Sequence, residues 1–217
     1  MLSGWEPDRL QHPRFARVAD LVTRLTSERD WPEVATLNAA FAPELGSVGV
    51  RLVEAPKLKP ALGSDGAIDI ASLYEVRIVE AGEIPTRPRN AHDLLNALVW
   101  AAFPRTKLAL TRELAAVQRV RAEGRATLPN ARSPAHDKLA MFDEGALVRV
   151  RGTTWIFGHA VYEHAYAGVF DVRGAAVELD LEIDGLSTID ARARIDGALA
   201  AADLASLVRT GPGVPVD

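Results

Sequence analysis

Apolar residues along this chain fall into short runs of recognisable period. Over residues 14–27, Phe15, Val18, Leu21, Val22 and Leu25 recur at helical spacing, and Pro32 suits the first turn of a second helix running to Phe41. Residues 50–54 and 74–79 are short, rich in β-branched side chains and roughly alternating, which predicts a strand at each, with a loop over 56–66 between them. Gly82 and the run Pro85-Thr86-Arg87-Pro88-Arg89 impose an extended or turning backbone, because each proline restricts the residue before it. Asn90 is a good N-cap for a helix reaching Trp100 or Phe103. Pro104 restarts the chain as a second helix over 105–123, which Gly124 ends.

Ser133-Pro134 has the cap-then-proline form of a helix start, and that helix ends near Asp143-Glu144-Gly145. Residues 147–151 read as a strand. Thr154 opens a helical stretch over 155–166 with aromatic residues at 155, 157, 162 and 166. Residues 177–183 alternate strictly and predict a strand, 190–208 an Ala-rich final helix, and 211–215 a mobile tail. No repeat of 20–50 residues is present. Together these elements predict an α+β fold, mostly helical with a small, mainly antiparallel sheet, forming a single domain over 1–209 with a tail over 210–217.

Composition narrows the chemistry. At 217 residues, with 48% hydrophobic and 25% charged residues, the chain can bury a sizeable core. It has no cysteine, so disulfides, thiolate metal sites and thiol nucleophiles are excluded, and a metal would need His, Asp, Glu or backbone oxygen. The first thirty residues lack a basic start and a continuous apolar run, and the longest nearly apolar run, 94–103, is far short of the roughly 20 residues that span a bilayer. A cytoplasmic protein without a membrane partner is the expectation.

A net charge of −4 argues against a general nucleic-acid binder. The charge is uneven, however: residues 87–132 hold nine Lys or Arg against three acids, and 163–203 nine acids against three Arg. Two solvated faces of opposite sign would account for this, and so would an anion-binding surface in the middle segment.

Polar residues on the apolar helix that follows Asn90 are the costly ones, since a buried polar group left unpaired loses about 1–3 kcal/mol. His92 and Asn96 are four apart and Asp93 and Asn96 three apart, so they share a flank near the helix start. Either they tie the proline-rich loop to the core, or they form one wall of a site. His159 and Glu163 are again four apart, a spacing at which an imidazole and a carboxylate can share a metal or a proton. His164 points away and is expected to be exposed. Asp143 and Glu144 either join the site or end their helix in solvent. Glycine-rich nucleotide loops, His-Glu-x-x-His and Gly-x-Ser-x-Gly are all absent.

The stretch from Tyr74 to Ile78, then Gly82 to Trp100 with its Pro-Thr-Arg-Pro-Arg-Asn-Ala-His-Asp-Leu-Leu-Asn core, and Phe103-Pro104-Arg105-Thr106-Lys107 resembles the bacterial family known as domain of unknown function 3025. Phe142-Asp143-Glu144 and Phe157-Gly158-His159-Ala160-Val161-Tyr162-Glu163 are similar to that family as well, so the resemblance covers about 70–170. Ala91 departs from the pattern, in which a Trp stands between the Asn and the His. The resemblance implies no reaction, cofactor or fold. It nominates the positions that the residues nominate on their own: Asn90, His92, Asp93, Asn96, Lys107, Asp143, Glu144, His159 and Glu163.

The expectation drawn from these readings is an enzyme, with hydrolysis as the reaction class, acting on an anionic small molecule. His92, Asp93, His159 and Glu163 would supply acid/base groups or bind a divalent metal, with Asn90, Asn96, Asp143 and Glu144 in support. Arg87, Arg89 and Lys107 would bind the anion beside a helix start. The alternative is a non-catalytic module that docks a protein or nucleic acid through residues 87–132.

Overall fold

The computed structural model describes residues 4–56, 60–128, 133–208 and 213–216. Parts of the expected loop at 56–66, of the basic segment 87–132 and of the tail 210–217 lie outside those residues. In chain order, two 3-10 helices (Pro7–Gln11 and Pro13–Val18) lead into α1 (Ala19–Val22), α2 (Val34–Ala40), α3 (Ala42–Gly46) and β1 (Arg51–Glu54). A short 3-10 turn precedes α4 (Tyr74–Ala81), followed by β2 (Glu83–Thr86), α5 (Ala91–Ala102), α6 (Pro104–Ala122) and α7 (Pro134–Gly145). The chain continues with β3 (Ala146–Val150), β4 (Thr153–Ile156), α8 (His159–Tyr166), β5 (Arg173–Leu179), α9 (Thr188–Ala200), α10 (Leu204–Leu207) and β6 (Val214–Pro215).

The fold is α+β, as expected. β1 and β2 pair in parallel, and a four-stranded sheet runs in the order β4-β3-β5-β6, with β3 and β5 parallel and the two outer pairings antiparallel. The sheet component is thus mixed. The central helix α5 is buried along most of its length and packs against α8.

Several segments differ from the expectation for identifiable reasons. Residues 74–79 form α4, not a strand. Their alternation is incidental, because Leu73, Val76 and Val79, three apart, pack against Ala115 and Ala122 of α6 while Ile78 faces the main core. Gly82, left-handed at φ 66°, ends α4 and turns the chain into β2. Residues 153–156 form β4, not the start of a helix: Arg151 and Gly152 at φ 49° and 76° make a two-residue turn of the kind that joins antiparallel strands, and Trp155 lies opposite Val148. The first helical segment is largely 3-10, which suits Phe15, Val18 and Leu21 at intervals of three.

The strand expected at 177–183 ends at Leu179, although Leu181 and Ile183 still pack on the core. The final helix breaks after Ala200, and Asp203 caps the short α10 by accepting from the Ser206 amide. Val214–Pro215, read as tail, pair with β5, and the Val216 carbonyl accepts from buried Arg14.

Candidate functional site

The site follows from three local decisions in the chain. Asn90 accepts from the Asp93 amide and starts α5, so His92 stands in its first turn. α7 ends at Asp143, Glu144 and Gly145. Gly158 then starts α8 in direct backbone contact with that end: a Cβ there would lie 2.5 Å from the Gly145 Cα and closer still to the Glu144 carbonyl. That approach puts His159 beneath the end of α7 and one turn before Glu163. Between these parts lies a pocket of about 280 Å³, walled also by Tyr74, Pro85 and Arg87.

The two imidazoles meet edge to face, with ring centres 4.6 Å apart, and their surroundings drive them in opposite directions. His159 is 3% exposed, and its Nδ1 donates to the Asp143 carbonyl at 2.9 Å. A carbonyl can only accept, so Nδ1 carries the proton and the neutral ring keeps its lone pair on Nε2. Among the described residues Nε2 has no hydrogen-bond partner, and it lies 3.9 Å from a Glu144 carboxylate oxygen, beyond hydrogen-bonding range. Burial, reinforced by the positive charges of Lys107 and His92, pushes the His159 pKa below its usual value despite the nearby Asp143 carboxylate. His92, half-buried, instead meets Glu163 through Nδ1 at 3.0 Å. That hydrogen bond outweighs burial and raises the His92 pKa, while the same bond lowers the pKa of Glu163.

Beneath the pocket runs a second polar chain. Lys107, 4% exposed along its side chain, donates to an Asp143 carboxylate oxygen and, at 2.8 Å, to Asn96 Oδ1. Its ammonium also lies 5.6 Å from the centre of the Trp100 ring. Burial would raise the Asp143 pKa, but Lys107 and the two histidines more than offset it, and the carboxyl is held below the usual range. Asn96 completes the chain by donating through Nδ2 to the Tyr74 hydroxyl at 3.3 Å.

Of the residues nominated from the sequence, His92, Asp93, Asn96, Arg87, Asp143, Glu144 and His159 line the pocket. Glu163 reaches it through His92, and Lys107 lies below. Asp93 does not converge with the histidines: its two oxygens take the Arg87 guanidinium at 2.6 and 2.9 Å and the Arg87 amide at 2.7 Å, which clamps the proline-rich loop to α5. Among the described residues no three His, Asp or Glu side chains stand together as a ready-made metal-ligand set, so the expected set of His92, Asp93, His159 and Glu163 is not assembled as such. The expected anion-binding groups are also spoken for. Arg87 is paired with Asp93, Lys107 is paired with Asp143, and Arg89 is exposed on a turn outside the pocket lining. Even the nearby start of α6 is capped from within, by the Asp196 carboxylate accepting from the Arg105 and Thr106 amides at 3.1 and 2.8 Å.

Tyr74 is a polar lining residue that the sequence reading did not nominate, beside the apolar Pro56 and Pro85. Placed on a strand, it had no reason to face Asn96; the row Leu73, Val76 and Val79, read as helical, is the signal that puts it at the start of α4 and over the pocket.

No curated protein sequence matches the chain. Solved structures with a similar course of the chain include phenylalanine hydroxylases. That of Colwellia psychrerythraea 34H is 13% identical, with 95% of this chain and 87% of that one covered and a TM-score of 0.43. The Chromobacterium violaceum enzyme with bound oxidised Fe(III) is 14% identical, with 89% and 78% covered and a TM-score of 0.46. The Legionella pneumophila enzyme is 8% identical, with 86% and 89% covered and a TM-score of 0.45. Residues 64–153, which carry α4 to α7 and most of the pocket wall, match the model of the family described as "Protein of unknown function (DUF3025)", and over that stretch the resemblance read from the sequence is borne out.

Proposed function

We propose that this pocket is the active site of an enzyme that transfers protons on a bound small molecule, with His159 as general base and the His92–Glu163 pair as the charged, proton-holding partner. This reading rests on two touching imidazoles in unlike surroundings, His92 hydrogen-bonded to a carboxylate and His159 buried against a carbonyl, which push their pKa values in opposite directions as acid/base chemistry near neutral pH requires. Hydrolysis is the reaction class that fits: His159 lines the pocket, its buried Nε2 has no hydrogen-bond partner among the described residues, and that atom takes a proton from a water that attacks the substrate while the protonated His92 returns one to the leaving group.

The charge balance turns the expected substrate away from an anion. Arg87 and Lys107 are each matched by a carboxylate, His92 is matched by Glu163, and among the described residues Glu144 has no Lys or Arg partner. A neutral substrate suits that pocket better, and so does a divalent cation. The same free Nε2, with its ring oriented by a carbonyl on Nδ1, supports a second reading in which His159 ligates a metal alongside His92 and Glu163 once those two part. The docking alternative, resting on residues 87–132, loses Arg87, Lys107 and Arg119 to internal pairs.

A panel of neutral chromogenic esters and amides, assayed with the wild-type chain and His159→Gln, tests the proposal. At least one substrate will be hydrolysed, and the variant will lose about a hundredfold in rate while melting normally. Activity that vanishes with a chelator and returns with zinc or manganese supports the metal reading over the metal-free one. No turnover anywhere on the panel, or equal turnover by the variant, contradicts the hydrolase.

A further inference from the structure

A second functional group faces the same pocket, and its direction follows from a chain of forced hydrogen-bond assignments. Lys107 can only donate, so the Asn96 atom that receives it at 2.8 Å must be the amide oxygen. The Asn96 amide nitrogen therefore points the other way, to the Tyr74 hydroxyl, and as a donor it obliges that hydroxyl oxygen to accept. The hydroxyl proton is left over. Among the described residues no acceptor takes it, and Tyr74 lines the same pocket as the two histidines.

We propose that Tyr74 is a catalytic residue that donates its hydroxyl proton in a hydrogen bond to a carbonyl oxygen of the substrate in the pocket it shares with His159. The inference rests on the acid/base reading above and narrows its substrate class to neutral carbonyl compounds such as amides and esters. A carbonyl carbon attacked by water gains a C–O bond, its π electrons move onto the carbonyl oxygen, and the attacking water gives its proton to His159 Nε2. The Tyr74 hydroxyl stabilises that developing oxyanion without giving up its own proton. When the intermediate collapses, the C=O reforms, and the bond to the leaving group breaks as that group takes a proton from His92. His159 then releases its proton to solvent and His92 takes one up from solvent, which restores both rings for the next turnover.

Two features suit Tyr74 to this role. Burial, with the Asp143 and Asp93 carboxylates nearby, holds the phenol far above its usual pKa, so it stays a donor throughout the pH range of the histidines. Asn96 and Lys107 fix its oxygen from behind, so the donor is oriented before the substrate arrives.

The test uses benzamide as a probe, since it offers an N–H to His159 and a carbonyl oxygen to Tyr74 without reacting on the time scale of the measurement. Binding is followed by saturation-transfer NMR, and the carbonyl stretch of the 13C-labelled probe by difference infrared spectroscopy. The wild-type chain will bind benzamide with the carbonyl stretch shifted to lower frequency. Tyr74→Phe, which keeps the ring and its packing, will weaken binding about tenfold and abolish the shift, and will cut the rate on any ester or amide found active by about a hundredfold with little change in KM. His159→Gln will weaken binding while leaving the carbonyl shift in place. Benzamide bound equally by Tyr74→Phe, with the shift unchanged, overturns the role of Tyr74 and leaves the histidine site standing. Binding insensitive to both variants overturns the site itself, and no binding to the wild-type chain overturns the carbonyl substrate class.

Discussion

Replacing Lys107 by methionine will destabilise the protein by about 3–5 kcal/mol, the loss expected when one partner of a buried ion pair is removed and the other stays behind. The methionine fills most of the lysine's volume, so the loss reports on charge and hydrogen bonding and not on a cavity. Lys107 is 4% and Asp143 23% exposed along their side chains, so water reaching the carboxylate from the pocket replaces the ammonium only in part. Two further effects accompany the loss. Asn96 keeps its bond to Tyr74 but loses the donor that fixes its orientation. The pH dependence also inverts. With Lys107 present, the Asp143 pKa is lowered, so its contribution to stability is present above the unfolded pKa and is lost as pH falls through the folded one. Without Lys107, burial dominates, the pKa rises, and the variant gains stability on mild acidification as Asp143 takes up a proton. Urea titrations at neutral and mildly acidic pH measure both effects. A loss under about 1 kcal/mol at neutral pH, with no inversion, contradicts the pairing.

Gly158→Ala will cost about 3 kcal/mol, at the upper end of what overpacking does, because the added methyl meets backbone on both sides. A flexible side chain could move aside, but the Gly145 Cα at 2.5 Å and the Glu144 carbonyl can yield only if the end of α7 separates from the start of α8. The separation breaks the His159–Asp143 carbonyl bond, which sets the tautomer, so the variant will also lose the histidine asymmetry in whatever fraction stays folded. Gly49, where a Cβ has open space around it, serves as a control for the steric part; its left-handed backbone carries a conformational cost of about 1 kcal/mol for alanine. Similar losses at the two glycines contradict the close-contact account.

The helices α5 and α6 were legible in the sequence because local signals agreed with tertiary need: Asn90 caps, Pro104 restarts, Gly124 follows the end, and the apolar run between is buried. α4 and β4 were not, for opposite reasons. α4 alternates by accident over Tyr74, Val76 and Ile78 while its packing row of Leu73, Val76 and Val79 shares only Val76 with them, and β4 follows a turn built from Arg151 and Gly152, a pair without the Asn-Gly or Asp-Gly signature. At the site, the sequence reading paired residues by proximity in the chain. Glu163 meets His92, 71 positions away, instead of His159 one turn before it, and Asp93 turns back to Arg87. Such partners are fixed by how α5, α7 and α8 pack, which spacing along one helix does not encode.

The pH dependence of stability carries the imprint of the two histidines with opposite signs. The raised pKa of His92 adds stability that is fully present below about 6.5 and is lost as pH rises through the folded value. The lowered pKa of His159 acts the other way: stability rises with pH between its folded value and about 6.5, because the unfolded chain binds a proton there that the folded chain refuses. Glu163 adds a contribution that is present above about 4.5 and is lost as pH falls through its depressed folded pKa. The three overlap in a bulk titration, so a residue-resolved method is needed.

The most direct measurement is a long-range proton–nitrogen NMR titration of the histidine rings, assigned with His92→Gln and His159→Gln. The account predicts that His92 titrates above 6.5 and His159 below it, with the neutral His159 ring showing a protonated Nδ1 and a bare Nε2. Two rings that titrate together near 6.5, or a neutral His159 protonated on Nε2, would contradict the division of roles on which the proposed chemistry stands.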